Sequence, residues 1–116
     1  MFIRAASFNG DLSRWNVGNV NTMERMFLEA SSFRGGDLSG WNVASVTAMG
    51  EMFREARSFN GDVSGWDVAR ANSISGMFYT AIRFNGDVGR WDVSSVTTLW
   101  GVFRTASSFT GRGLAS

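Results

Sequence analysis

The sequence predicts an α/β solenoid of about four 25-residue repeats, each a short parallel strand plus a short helix. Three observations predict it. Phe33, Phe59, Phe84 and Phe109 recur at spacings of 25 or 26 residues, and Trp15, Trp41, Trp66 and Trp91 keep the same register. The one-residue excess lies in the Gly35-Gly36 pair. Each unit also switches from a period-two segment to a stripe of helical spacing. A fixed period in this range is the mark of stacked repeats that share one core.

The expected array runs over 1–116 as a single unit. It comprises a partial repeat 1–7, repeats 8–32, 33–58, 59–83 and 84–108, and a partial repeat 109–116. Met1-Phe2 aligns with Met26-Phe27, Ala5 with Ala30 and Phe8 with Phe33, so the opening residues read as the end of a repeat and not as a leader.

In the first half of each unit, Leu12-x-x-Trp15-x-Val17 recurs as Leu38/Trp41/Val43, Val63/Trp66/Val68 and Val88/Trp91/Val93. Trp and Val two apart share a face of an extended segment. Neighbouring repeats are expected to pair these segments in parallel, about 4.8 Å apart. The preceding Asn9-Gly10-Asp11 is a turn, with Gly supplying an unusual backbone angle.

In the second half, Val20, Met23, Met26, Phe27 and Ala30 form an i, i+3, i+6, i+7, i+10 stripe, the pattern of one helix face. Asn21, Thr47, Asn72 and Thr97 are the candidate N-caps. Two or three turns are too short to persist alone in water, so the stack must hold each helix. All ten Phe residues fall in two columns, headed by Phe2 and Phe8. A ring recurring once per repeat stacks on its copy, giving Phe, Trp and Met ladders through the core. Fully burying each ring is worth roughly 1.5–3 kcal/mol.

The pattern F-N-x-D-[LV]-x-x-W-[DN]-V-x-x-V-x-x-M-x-x-M-F-x-x-A resembles the repeat of BspA-like leucine-rich-repeat surface proteins, in particular the 25-residue subgroup of unknown function first described in mycoplasmas. It covers essentially the whole chain. Arg34 departs from it at the turn Asn, Ala71 at a Val, and Leu99 and Val102 at both Met positions. The resemblance implies a right-handed leucine-rich-repeat-like solenoid, an extracellular or cell-surface location, and adhesion or partner binding. It implies no catalytic residue and no cofactor.

Composition narrows the function further. The formal net charge is +1, every basic residue is Arg, and there is no Lys, His, Cys or Pro. The arginines form no run, so nucleic-acid binding is not expected. No apolar stretch approaches the roughly 20 residues that span a bilayer. Without His or Cys, and with no nucleophile beside a base, an enzyme is not expected. The expected role is a non-enzymatic scaffold for adhesion or protein–protein interaction, a segment of a longer array.

Three residue sets are candidates for contact. Tyr79, Ile82 and Trp100 interrupt columns that elsewhere carry charges, beside Arg83 and Arg104. Trp100 and Arg104 are expected on one helix face, and Tyr79 shares a column with Arg104. Such a cluster suits a protein or cell-surface ligand, or a local cation–π arrangement with no partner. Arg14, Asn16, Asn42, Asp67, Arg90 and Asp92 are expected to line the exposed strand face, as a binding surface or simply a solvated one. Asp11, Asp37, Asp62 and Asp87 form an acidic column. Each either closes its own turn or joins a calcium site, which needs several oxygen ligands. Finally, the apolar faces around Phe2/Phe8 and Phe103/Phe109 lack covering repeats. End-to-end self-association into a filament is therefore an alternative function, and a calcium-dependent module a further one.

Overall fold

Each repeat is a closed run of tight turns. The computed structural model describes residues 2–110; Met1, and the expected last partial repeat from residue 111 on, lie outside them. Among the described residues there is no helix, and extended structure is limited to isolated parallel bridges: Thr22–Ala48, Ala48–Ser73 and Ser73–Thr98. The expected α/β solenoid of strand–helix repeats is thus incorrect. Radius of gyration is 12.6 Å and the principal extents are 35 × 32 × 19 Å. An ordinary globule of this length has a radius of about 13 Å, so the body is that of a globule.

The expected helix fails for a local reason. A β-turn and a helix both place residues i and i+3 side by side. Here the amide of Met26 donates to Met23 O, Leu28 to Arg25 O, Ala30 to Phe27 O and Phe33 to Ala30 O. The intervening amides of Met23, Arg25, Phe27 and Glu29 point away. They donate to the carbonyls of Ala48, Gly50, Met52 and Arg54 in the next repeat, at 2.8–3.0 Å. A helix would spend all of these amides internally. The alternation requires a left-handed residue in third place of two turns. Arg25 (φ 58°) and Glu29 (φ 57°) take it, as do Glu51, Glu55, Thr80 and Thr105 in later repeats; Gly76 and Gly101 continue the first column.

The expected strand is also turned. Trp15 N–H donates to Leu12 O and Val20 N–H to Val17 O, both at 3.0 Å. Parallel pairing between repeats therefore runs through the half in which a helix was expected. The proposed N-caps join that pairing: Thr47 N–H reaches Asn21 O, Asn72 N–H reaches Thr47 O, and Thr97 N–H reaches Asn72 O. The glycine of the Asn-Gly-Asp turn has a different reason too. Gly10, Gly61 and Gly86 are not left-handed. A Cβ on each would lie 2.7–2.9 Å from the Phe ring two residues earlier, so the glycine makes room for that ring.

The aromatic columns stack. Phe27, Phe53 and Phe78 lie 5.4 and 5.6 Å apart, centroid to centroid, with planes within 7° of parallel. Phe53 also stacks on Phe59 at 3.9 Å within its own repeat. Rings of the middle repeats are fully buried, whereas Phe2, Phe8, Phe103 and Phe109 are only partly so. Ala30, Ala56 and Ala81 are buried corners shared by two successive turns.

Candidate functional site

The sharpest break in the repeat is aromatic. Trp100 occupies the column of Glu24, Gly50 and Ser75, while Tyr79 occupies that of Leu28 and Arg54. Their rings stack across adjacent repeats, centroids 6.2 Å apart at 25°. The guanidinium of Arg54 sits 4.7 Å from the centre of the Tyr79 ring. Arg54 also pairs with Glu51, and Glu51 takes the Nε of Arg25 at 2.8 Å. Arg25, and then Arg54, hold the Glu51 carboxyl below its ordinary pKa against partial desolvation. Trp100 remains 62% exposed. Gly101 suits its left-handed backbone (φ 66°), and a Cβ there would make only ordinary contact with the Tyr79 ring.

Only two of the five residues in the expected contact set meet. With no helix, Trp100 and Arg104 share no helix face. Arg104 is exposed, and its backbone carbonyl accepts from Thr80 N–H. Ile82 is half-buried on the following turn. Arg83 faces a separate open groove of about 720 Å³, opposite Arg34 and beside Asn60.

The expected strand face does not form, because those residues flank turns. Arg14, Asn16, Asn42, Asp67, Arg90 and Asp92 are all exposed. The Oδ1 atoms of Asn16, Asn42, Asp67 and Asp92 accept the N–H groups of Gly18, Ala44, Ala69 and Ser94. The acidic column behaves similarly: Asp11, Asp37, Asp62 and Asp87 accept from Ser13, Ser39, Ser64 and Gly89 at 2.8–3.1 Å. Ser39, by its hydroxyl and then its amide, lowers the Asp37 pKa, although Asp62 and Asp11 push it up. Among the described residues, no three carboxylates gather as a metal-binding group.

Two features escaped sequence reasoning. The indole N–H of Trp41, Trp66 and Trp91 donates to a carbonyl of the preceding repeat: Leu12, Leu38 and Val63, at 2.9–3.0 Å. A slot of about 150 Å³ opens beside Trp100, lined by Glu24, Gly50, Glu51, Ser73, Ser75 and Gly76. The Trp-to-carbonyl bond had a signal, since a buried indole N–H needs an acceptor. The slot had none, because its walls come from four repeats.

The family profile described as "Mycoplasma protein of unknown function, DUF285" matches residues 1–115. The chain belongs to the DUF285 family. No curated protein and no solved structure matches this DUF285 chain. Among its described residues no helix is long and apolar enough to cross a membrane.

Proposed function

We propose that this DUF285 chain is a non-enzymatic scaffold for adhesion, working at the cell surface or outside the cell and engaging its ligand through the Trp100 face. Trp100, the most exposed of the large apolar side chains among the described residues and stacked on the half-buried Tyr79, carries this reading. Exposed aromatics beside Arg are the composition of contact centres. The resemblance to BspA-like surface proteins supports the location. The test is retention of beads coated with the chain on cultured cells. Trp100→Ala is expected to cut retention at least about tenfold, the scale of a contact centre, whereas Trp15→Ala leaves it unchanged. Equal retention by Trp100→Ala beads would refute the reading.

End-to-end stacking into a filament has less support. A copy added to the first repeat would aim the amides of Phe103 and Thr105 at the carbonyls of Met26 and Leu28. Phe2 and Arg4 N–H already hold those carbonyls at 2.9 and 2.6 Å. A copy docked directly on the first full repeat would thus have to displace residues 2–8. Light scattering across concentration checks this, and a steady monomer mass is the expected result.

A further inference from the structure

We infer that the groove between Arg34 and Arg83 binds a phosphate monoester. It shares no lining residue with the slot beside Trp100, and it stands apart from the reading of that face.

Two breaks in the repeat meet there. Arg34 stands in the column of Asn9, Asn60 and Asn85, and Arg83 in that of Ser32, Ser58 and Ser108. The asparagines have a structural task. The Oδ1 atoms of Asn9, Asn60 and Asn85 accept the amides of Arg34, Asn85 and Thr110 in the next repeat, at 2.9–3.0 Å. An Arg side chain accepts nothing, and the Asn60 amide turns to the Arg34 backbone carbonyl at 3.1 Å instead. The Arg34 guanidinium is therefore spare to the fold. Neither it nor that of Arg83 forms an ion pair among the described residues, whereas Arg4, Arg25, Arg54 and Arg57 each pair with a glutamate.

The lining selects the ligand. Arg34, Ser58, Asn60, Arg83 and Ser108 line the groove, with no carboxylate among them. Ser58 and Asn60 flank Phe59, whose ring stacks between those of Phe33 and Phe84 at 6.0 and 5.9 Å. They thus lie one layer from Arg34 on one side and one from Arg83 on the other. With its Oδ1 held by the Asn85 amide, Asn60 offers the groove its N–H donors. Asp11 and Asp37 share a neighbouring groove with Arg34, but they accept from Ser13 and Ser39 and pair with neither arginine. Two guanidiniums with hydroxyl and amide donors between them make a seat for an oxyanion, and the planar fork of Arg matches phosphate. A phosphate monoester carries about −1.5 to −2 at pH 7 and balances both arginines. A sulfate ester or a carboxylate leaves one unbalanced. The groove, about 720 Å³, lies within the roughly 300–1,000 Å³ of ligand pockets, so the group bearing the phosphate has room.

The test is a ¹⁵N-NMR titration of the chain with methyl phosphate, methyl sulfate and acetate at about 50 mM salt, where screening is weaker than at physiological strength. Methyl phosphate is expected to move the Asn60 side-chain amide and Arg83 Nε–H signals saturably, with a Kd of about 1–10 mM, and at least about threefold more tightly than the other two. Arg34→Asn and Arg83→Ser each restore the residue of their column. Each should weaken binding at least about threefold without lowering the melting temperature, and the double variant should abolish it. Arg70→Ser, which returns an exposed arginine outside the groove to the residue of its own column, should leave binding unchanged. Between about pH 7.5 and 5 the monoester takes up its second proton, whereas no groove side chain titrates and the chain has no His. Affinity for methyl phosphate should therefore fall at least about threefold over that interval while that for methyl sulfate stays level. Absence of a saturable shift, equal affinity for methyl sulfate, or an equal loss in Arg70→Ser overturns the inference.

Discussion

The indole Nε1–H of Trp66 donates at 3.0 Å to the carbonyl of Leu38, one repeat earlier. That carbonyl also accepts the Trp41 amide at 3.1 Å. One oxygen thus closes a turn in its own repeat and fastens the next repeat to it. Trp15, 41% exposed, makes no such bond among the described residues.

Trp66→Phe keeps a ring in the stack but loses that bond and leaves a small void. It should cost about 2–3 kcal/mol in urea unfolding, from a net hydrogen bond near 1 kcal/mol plus lost packing. Trp15→Phe should stay within about 0.5 kcal/mol. Equal costs would mean that the indole bond contributes nothing.

Gly35 and Gly36 are both left-handed, at φ 102° and 53°, but only Gly35 is crowded. A Cβ there would sit 2.6 Å from the Phe59 ring and 2.8 Å from the Gly61 backbone; at Gly36 it would meet nothing within 4 Å. Gly36→Ala should therefore cost about 1–2 kcal/mol, the backbone penalty alone. Gly35→Ala should cost more or prevent folding. Thermal melts of the two variants decide the order.

Phe53 is fully buried and stacks on Phe27, Phe59 and Phe78. Phe53→Ala should cost about 3–5 kcal/mol. Phe103→Ala, at a partly buried ring, should cost clearly less. A flat response along the column would show that the repeats do not share their core.

Much of this was readable in the chain, and the part that was not has one cause. The two Phe columns, the Trp column and the buried Ala corners follow from recurrence alone. Helix against turn did not, because Met23, Met26 and Phe27 satisfy a stripe of three-residue spacing in either case. The discriminating clue was Gly76 and Gly101 in the column of Arg25 and Glu51, a place where glycine fits a left-handed backbone. The Tyr79–Trp100 pair could be suspected from adjacent columns. The slot could not, since Glu24, Gly50, Ser75 and Trp100 come from successive repeats, and their depth depends on which amides bridge.

Asp11, Asp37, Asp62 and Asp92 each have a lowered pKa, chiefly from the hydroxyl and then the amide of the serine two residues on. A carboxyl whose folded value lies below its unfolded value stabilises the fold above the unfolded pKa. That stabilisation is lost as pH falls through the folded value. Melting temperature should therefore be level from about pH 7 to 5 and decline below about pH 4. Asp37→Asn keeps a turn acceptor without the charge, and should flatten part of that decline. A melting temperature unchanged down to about pH 2 would remove these turns from the acid response.

The bridging amides of Met23, Arg25, Phe27 and Glu29 all point toward the following repeat, and those of Met49, Glu51, Phe53 and Glu55 do the same one repeat on. Each layer is thus bound to its neighbours by a short row of bonds with one polarity. Pulled from its two ends, such a chain yields layer by layer. Each rupture frees one repeat of about 25 residues, roughly 80–90 Å of contour, so the molecule would lengthen in even steps under load before it lost its hold.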